Sequence, residues 1–232
     1  MKESRRTLAD TLTFLRSVPL FAGLDDAALN RLAQAGRFSL LPKKLVLFSQ
    51  TDPAESAFVV RSGQVNILLT TVDGRELVIN EMRAGDCFGE LSLVTNLPRS
   101  TEAIAHTAAE VFSIPRDEFL AELENQPRML RYLLETTAHR LQSSSDRESA
   151  LAFLDASARL ARVLLQLDRE YNADGFITIG QDDLAQRLGL ARQTVAKTLG
   201  QWRRSGWLVT GRGKIVLINR PALRRIAKEI GL

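Results

Sequence analysis

Two short stretches, Gly85–Leu93 and Pro98–Thr101, combine the residue types that bind a small anion. The first, GDCFGELSL, begins with a glycine-led turn that exposes backbone N–H groups, and the second, PRST, supplies an arginine and hydroxyls. Glu90 lies beside the turn, where its carboxylate would repel a phosphate but accept hydrogen bonds from a sugar hydroxyl. A phosphate next to a ribose indicates a nucleotide. The same letters are also compatible with an ordinary β-turn followed by a helix start.

A second group of residues with chemical potential lies in 181–204, QDDLAQRLGLARQTVAKTLGQWRR. Its apolar spacing predicts two short helices that cross each other, with Gly189 in the tight turn between them. The positions predicted to face outward from the second helix are Arg192, Gln193, Ala196, Lys197 and Gln201. Arginine and glutamine near the start of such a helix have the donors that read guanine and adenine edges in the DNA major groove.

A strand–turn–strand pattern follows this helical pair, in Trp207–Val209 and Ile215–Ile218. The turn between them carries Arg212 and Lys214, whose charges suit DNA phosphates. The segment 181–218 therefore predicts a winged helix-turn-helix. The alternative is a helical hairpin with solvated charges.

The elements that position these groups follow three patterns. Residues 8–35 are predicted to be helical, with Asp25 or Asp26 opening the second helix. Residues 36–115 predict short antiparallel strands closed into a barrel or roll. The runs rich in β-branched and aromatic residues are Leu45–Phe48, Ala57–Arg61, Val65–Thr70, Glu76–Glu81 and Val111–Ile114. Asp73-Gly74 predicts a hairpin between two of them.

The third pattern predicts a long helix from Pro127 to about Phe153. Its heptad stripe, here called the seam, consists of Leu130, Leu134, Thr137, Leu141, Ser144, Glu148 and Leu151. Such a stripe is typical of a two-stranded coiled coil. Its polar members Ser144 and Glu148, and the repulsion between the two copies of Glu148, would weaken the packing at that end. Either a globular helix tolerates these polar residues, or something polar meets the seam near Ser144. Further helix to about Tyr171, a turn at 172–175 and a strand at Phe176–Ile179 are expected after it.

Composition and charge limit the function classes. The 232 residues contain a single cysteine, two histidines and no long apolar run, so we expect a cytoplasmic protein without a disulfide, a metal site or a membrane span. Residues 154–232 carry 14 Lys and Arg against 7 Asp and Glu, whereas residues 1–153 carry 17 against 20. A basic module joined to a mildly acidic one suggests that only the second half meets a polyanion.

The stretches Phe88-Gly-Glu-Leu-Ser-Leu and Pro98-Arg-Ser resemble the phosphate-binding cassette of cyclic-nucleotide-binding domains. From about Leu20 to the wing, the chain resembles the CRP/FNR superfamily of bacterial transcription regulators. The glycines expected in the turns of that family's β-roll are Gly63, Gly74, Gly85 and Gly89. The runs Arg140-Leu-Gln and Leu151-Ala-Phe-Leu-Asp are also similar to the family.

This resemblance implies an α+β fold. A cyclic-nucleotide-binding antiparallel β-roll, jelly-roll-like, would occupy residues 1–125 with its flanking N-terminal helices. A dimerisation helix would follow at 126–153, and a winged helix-turn-helix DNA-binding domain at 154–232. It also implies a homodimer on palindromic double-stranded DNA, with RNA polymerase as a partner and cyclic AMP as the allosteric ligand.

The family assigns ligand binding to Gly89, Glu90, Leu91, Arg99, Ser100, Arg140, Ser144 and Ser145. The cyclic phosphate would meet Arg99, Ser100 and the backbone near Gly89, and the ribose 2′-hydroxyl would meet Glu90. The base would bond to Ser144 of one subunit and Ser145 of the other, while Arg140 would support the pocket. The residues expected to contact DNA are Arg192, Gln193, Lys197, Gln201, Arg212 and Lys214.

The chain departs from the family pattern at several of these places. Gln193 replaces a glutamate and prefers adenine, so the DNA half-site is expected to differ. Ala191 replaces a serine and removes a helix cap. Thr51 stands where relatives often carry glycine, and we expect only a local change of turn there.

Other functions remain open on the residues alone. A regulator of the same fold could respond to cyclic GMP, a cyclic dinucleotide or haem and gas, with His106 and His139 as axial ligands, or act without a ligand. An enzyme-regulatory subunit or a channel's ligand domain would not need the helix-turn-helix and wing. We find no nucleophile–base pair, metal cluster or P-loop that would support an enzyme.

Overall fold

The computed structural model describes residues 2–4, 6–71, 76–170 and 175–227. The chain forms two compact units. The first consists of Met1–Thr70 and Ile79–Leu141, and the second of Thr71–Val78 and Gln142–Leu232. The domain boundaries expected from the sequence stay a prediction.

The first unit contains two capped helices near its N-terminus, α1 (Leu8–Ser17) and α2 (Asp26–Ala35), joined by a 3₁₀ turn at Pro19–Phe21. The Thr7 hydroxyl accepts a hydrogen bond from Asp10 N at 3.1 Å, and the Asp25 carboxylate accepts one from Ala28 N at 2.7 Å. Each bond satisfies a backbone donor that the first helical turn leaves without a partner. The predicted helix start near Asp25 is therefore confirmed.

Antiparallel strands then build the roll. In chain order they are β1 (Lys2–Ser4), β2 (Arg37–Leu41), β3 (Val46–Phe48), β4 (Ser56–Ser62), β5 (Val65–Thr70), β6 (Glu76–Met82), β7 (Cys87–Phe88), β8 (Glu102–Ala105) and β9 (Ala109–Pro115). One sheet has the order β1-β2-β9-β4-β7, and another has the order β3-β8-β5-β6. The predicted runs lie in β3, β4, β5, β6 and β9, whereas the predicted Asp73-Gly74 hairpin lies outside the described residues.

Aromatic side chains fill the roll in two groups. The Phe38 and Phe112 rings lie 4.8 Å apart between the sheet and the N-terminal helices. Phe48, Phe58 and Phe88 form the second group, with ring centroids 5.4 to 6.3 Å apart. This second group borders the turn that the sequence predicts to bind an anion.

Three further helices follow in the chain: α3 (Glu90–Thr95), α4 (Arg116–Asn125) and α5 (Pro127–Phe153), of which α5 continues into the second unit. The bounds of α5 confirm the predicted long helix. Its seam leucines are exposed in the single chain: Leu130 by 52%, Leu134 by 68%, Leu141 by 68% and Leu151 by 47%. An exposed apolar row of this kind is unusual on a helix unless another surface covers it.

The second unit contains a winged helix-turn-helix. Its elements are α6 (Ala156–Glu170), β10 (Ile177–Thr178), α7 (Gln181–Leu188), α8 (Arg192–Arg204), β11 (Leu208–Gly211), β12 (Lys214–Leu217) and α9 (Arg220–Ala227). Gly189 ends α7 with a φ of 60°, the left-handed conformation that the tight turn was predicted to need. β12 pairs with both β10 and β11, which forms the predicted wing.

The last helix, α9, was not anticipated from the sequence. It packs on α6 through Leu223, and the Arg220 guanidinium donates to both Asp168 carboxylate oxygens at 2.7 and 2.8 Å. Only part of the predicted turn at 172–175 falls within the described residues. The expected lack of a cap at Ala191 is confirmed, because no side chain caps α8.

Candidate functional site: a buried charge pair and a DNA-reading helix

The Gly85–Leu93 turn is built around Gly89. This residue has a φ of 78°, and a Cβ placed on it would lie 2.8 Å from Arg99 Nη1 and 3.3 Å from the Phe58 ring. A side chain would therefore clash and would also strain the backbone. Glycine at this position lets the arginine come close beneath the turn.

Arg99 is only 4% exposed and points inward. Its Nη1 donates to Gly89 O at 2.5 Å, and its Nη2 donates to Ser56 O at 2.6 Å. Burial lowers the pKa of Arg99, but an arginine starts so high that it keeps its charge at neutral pH. The turn therefore rests on a buried cation.

Glu90 is 1% exposed and belongs to the first turn of α3. Its Oε1 accepts a hydrogen bond from Arg140 Nη1 at 2.7 Å, and Arg140 Nη2 donates to Cys87 O at 2.8 Å. Burial raises the pKa of Glu90, and the charge of Arg140 partly offsets this rise. Arg140 thus connects α5 to both the carboxylate and the backbone of the turn.

Two buried polar atoms at this turn have no hydrogen-bond partner in the described protein: the Arg99 Nε donor and the Glu90 Oε2 acceptor. A buried polar group without a partner costs about 1–3 kcal/mol, more when it is charged. The only other such side-chain atoms among the described residues are Asn66 Oδ1 and Arg159 Nε. An unused donor on Arg99 and an unused acceptor on Glu90 fit a ligand that offers both a phosphate oxygen and a hydroxyl.

The structure brings together four of the predicted ligand residues: Gly89, Glu90, Arg99 and Arg140. Leu91 and Ser100 lie on the surface of the same segment and are exposed. Ser144 is half-buried and Ser145 is exposed, and both belong to the second unit. Their contact with the base therefore stays a prediction.

The predicted DNA contacts lie on one exposed face of α8 and on the wing. Arg192, Gln193, Lys197 and Gln201 are all exposed, while Val195, Leu199 and Trp202 form the buried face. Arg192 Nε lies 3.3 Å from Asp182 Oδ1, and both side chains are about two-thirds exposed. Exposed pairs of this kind contribute about 0–1 kcal/mol, so Arg192 can exchange this partner for a base at little cost.

In the wing, Arg212 and Lys214 are exposed. The Lys214 ammonium lies 4.0 Å from the centroid of the Phe176 ring, a cation–π contact that holds the side chain over the turn. Sequence reasoning missed both Phe176 and Asp182 as partners of the cationic residues. The one signal in the sequence was position, since Phe176 lies shortly before α7 and Asp182 lies in its first turn.

The two histidines considered as haem ligands lie in different surroundings. His106 is half-buried, with Nδ1 3.4 Å from Asn66 Nδ2, and His139 is exposed on α5. Within the described ranges, no group of three or more His, Cys, Asp or Glu side chains is arranged to hold a metal. The same residues include no helix that is long and apolar enough to cross a membrane.

Comparison with known proteins agrees with this geometry. Residues 39–126 match the family model of the cyclic nucleotide-binding domain, and residues 158–226 match that of the Crp-like helix-turn-helix domain. Each model covers one of the two predicted functional regions.

Curated relatives match over most of their length. The chain is 30% identical over 206 residues to the CRP-like cAMP-activated global transcriptional regulator of Mycobacterium tuberculosis (strain CDC 1551 / Oshkosh), covering 86% of this chain and 92% of the relative. It is 32% identical over 183 residues to the cAMP-activated global transcriptional regulator CRP of Salmonella typhimurium, covering 76% of this chain and 87% of the relative.

Solved structures show the same fold. FixK2 from Bradyrhizobium japonicum matches with a TM-score of 0.72 at 26% identity, covering 84% of this chain and 99% of that one. The c-di-GMP responsive global regulator CLP of Xanthomonas campestris matches with a TM-score of 0.75 at 25% identity, covering 83% and 99%.

The fold, the turn and the matches together define a transcription regulator with a cyclic nucleotide-binding domain and a DNA-binding helix-turn-helix. The chain belongs to the CRP/FNR superfamily of these regulators. The fold class expected from the resemblance is confirmed.

Proposed function

We propose that this regulator is switched by cyclic AMP, which binds at the Gly85–Leu93 turn. The observation that carries the proposal is that two buried side-chain atoms of this site, Arg99 Nε and Glu90 Oε2, lack a hydrogen-bond partner. A cyclic phosphate accepts from the first and a ribose 2′-hydroxyl donates to the second. The printed names of the Mycobacterium and Salmonella relatives describe them as cAMP-activated, which supports this choice of ligand.

The remaining contacts follow the family pattern. Ser100 and the backbone N–H groups at Gly89 and Leu91 add to the phosphate site. Ser144 of one subunit and Ser145 of the other bond to the base. Their hydroxyls do not choose firmly between purines, so cyclic GMP is the nearest competitor for the site.

We further propose that the protein acts as a homodimer in the cytoplasm, has no enzymatic activity of its own and works with RNA polymerase. The exposed seam of α5 supports the dimer, because two copies of this row would bury each other's leucines. A two-fold dimer matches a palindromic operator, with the two α8 helices in successive major grooves about 34 Å apart.

Control would pass from the turn to α5 through Arg140. This side chain holds the Glu90 carboxylate and the Cys87 carbonyl from the helix that carries the seam. A ligand that binds Glu90 changes the hydrogen-bond partners of Arg140. This change favours one register of the coiled coil and thereby rotates the two DNA-binding domains. Two separate sites joined by a bistable element are what allosteric coupling requires.

The test is calorimetric titration of the protein with cyclic AMP, cyclic GMP and cyclic di-GMP, together with operator binding at each ligand concentration. Arg99→Ala is expected to lose cyclic AMP binding at least about tenfold, since charge-assisted bonds contribute about 1.5–3 kcal/mol each. The matched control is Arg83→Ala, which removes an exposed arginine of the same unit and is expected to bind like the parent. Equal affinity of Arg99→Ala and the parent would refute the assigned pocket.

A cyclic dinucleotide is the second candidate ligand, because the similar Xanthomonas regulator is described as c-di-GMP responsive. Tighter binding of cyclic di-GMP than of cyclic AMP would show that the ligand is the dinucleotide. The proposed DNA-binding function would be unaffected.

A further inference from the structure

The guanidinium of Arg99 lies against aromatic rings that the ligand contacts do not account for. Its Cζ is 4.3 Å from the centroid of Phe48 and 5.6 Å from that of Phe58. Both rings are 8% exposed, and they stack on each other with centroids 5.8 Å apart. The cation therefore lies over a two-ring platform.

The loop that follows Phe48, the last residue of β3, fixes the backbone of Arg99. Thr51 N donates to Arg99 O at 2.8 Å, and Arg99 N donates to Asp52 O at 2.9 Å. The end of β3 positions the ring beneath the Arg99 side chain, and the loop after it positions the Arg99 main chain. Phe58, on β4, closes the platform from the other side.

The way in which this cation is stabilised matters for its chemistry. Within the described part of the chain, no carboxylate forms an ion pair with Arg99, and its bonded partners are two backbone carbonyls. Among the described residues, the carboxylates of Glu90, Asp52 and Glu55 act on the guanidinium through their charge but accept no hydrogen bond from it. A ring face attracts the cation through its quadrupole, uses none of its N–H donors and leaves the net charge in place.

We propose that Phe48, supported by Phe58, is a positioning residue that holds the Arg99 guanidinium in the orientation that binds the phosphate of the ligand. The inference rests on the proposed function of the turn and adds a determinant of its anion preference. The competing interpretation is that both rings serve only to fill the core.

The experiment replaces Phe48 with 4-fluoro-, 3,4-difluoro- and 3,4,5-trifluorophenylalanine by site-specific incorporation in the full-length protein. Fluorination weakens the negative face of the ring stepwise while size and apolar character hardly change. The dissociation constant of cyclic AMP is expected to rise with each added fluorine, by about tenfold over the series, within the range of measured cation–π contacts. The control series carries the same residues at Phe112, which belongs to the other aromatic group.

The natural-residue variants Phe48→Leu and Phe112→Leu accompany the series, with thermal unfolding to show that each is folded. Phe48→Leu is expected to weaken cyclic AMP binding by about tenfold and Phe112→Leu by less than about twofold. Suppose that the parent binds cyclic AMP, but fluorination at Phe48 leaves the affinity unchanged or fluorination at Phe112 lowers the affinity equally. Either outcome overturns the inference and leaves the proposed function standing. If the parent binds no cyclic nucleotide, the proposed function fails and this inference fails with it.

Discussion

At the scale of single residues, the turn contains two charges that burial affects in opposite directions. Desolvation lowers the pKa of the Arg99 guanidinium and raises that of the Glu90 carboxyl. The arginine stays charged because its pKa begins far above neutral pH, whereas the carboxyl moves toward the pH range of the cell. Of the two residues, only Glu90 can therefore make ligand binding depend on pH.

We predict that cyclic AMP affinity falls in mild acid through Glu90. A ribose hydroxyl donates to the ionised carboxylate, so ligand binding favours the deprotonated form. Since burial raises the pKa of Glu90 in the free protein, protonation competes with the ligand at a higher pH than for an ordinary carboxyl. Dissociation constants measured from about pH 8 to about pH 5 should rise as the pH falls for the parent and stay flatter for Glu90→Gln.

The control ligand is 2′-deoxy cyclic AMP, which lacks the hydroxyl. The parent should prefer cyclic AMP over it by about tenfold or more, and Glu90→Gln should lose most of that preference. An identical pH profile for the parent and Glu90→Gln would contradict the assignment of the ribose to this carboxylate.

The residue types of the binding site were predictable from the sequence, but the contacts that hold them were not. The motif predicted that Arg99, Glu90 and Gly89 form one binding site, because the residue types that bind a phosphate and a ribose can be recognised in the sequence. The buried orientation of the Arg99 side chain was not predictable from the sequence. Its hydrogen-bond partner Ser56 is 43 residues away, and Phe48, whose ring supports it, has the residue type of any core position. Thr51 adopts a φ of 70°, a strained conformation for a β-branched residue, at the position where the family resemblance places a glycine.

At the scale of elements, predictability followed the strength of periodicity. α5 matches its predicted bounds because Pro127 and a seven-residue repeat mark it clearly. β2 and β8 were missed because their sequences, RFSLL and EAIA, contain a single β-branched residue between them. α9 was missed because it is only eight residues long, too short for a clear helical repeat.

The recognition helix and the wing are expected to contribute differently to DNA binding. Lys214→Ala should weaken binding to all DNA alike and reduce the slope of log affinity against log salt by about one, because it removes one phosphate contact. Arg192→Ala should cost about 1–3 kcal/mol on the operator and relax the preference at one base pair. Both are measured by fluorescence anisotropy on operator and random duplexes over a salt series.

Random DNA of the same length provides the control for each variant. Equal losses of Arg192→Ala on operator and random DNA would remove this residue from base readout. A loss confined to the operator for Lys214→Ala would exclude a simple phosphate contact.

At the scale of the whole molecule, the exposed seam predicts that dimerisation depends on single leucines. Leu141→Lys removes one apolar side chain from each helix and places two like charges opposite each other, which should cost several kcal/mol per dimer, on the order of 3–6. Sedimentation should then show monomers at micromolar concentration and a parallel loss of operator binding. Gln142→Lys, the exposed neighbour outside the seam, adds the same charge and should stay dimeric.

A dimeric Leu141→Lys protein would show that α5 is not the coiled-coil interface. Monomers formed equally by Gln142→Lys would indicate a general effect of charge on the helix instead.

The last prediction joins the ligand to the seam through Ser144. This residue is a half-buried member of the seam and, by the family pattern, also a hydroxyl partner of the base. Ser144→Leu should improve the apolar heptad and keep the protein dimeric while it removes that partner. If the tighter coil mimics the liganded register, operator binding without ligand rises and the further response to cyclic AMP shrinks.

Ser143→Leu is the matched control, because this exposed neighbour also loses a hydroxyl but lies outside the seam. Operator binding is measured across a cyclic AMP titration for the parent and both variants. A base contact without coupling would raise the ligand concentration needed by Ser144→Leu but leave its baseline and plateau equal to those of the parent. That outcome would refute the coiled-coil switch, whereas a raised baseline in Ser144→Leu alone would place the switch in the seam.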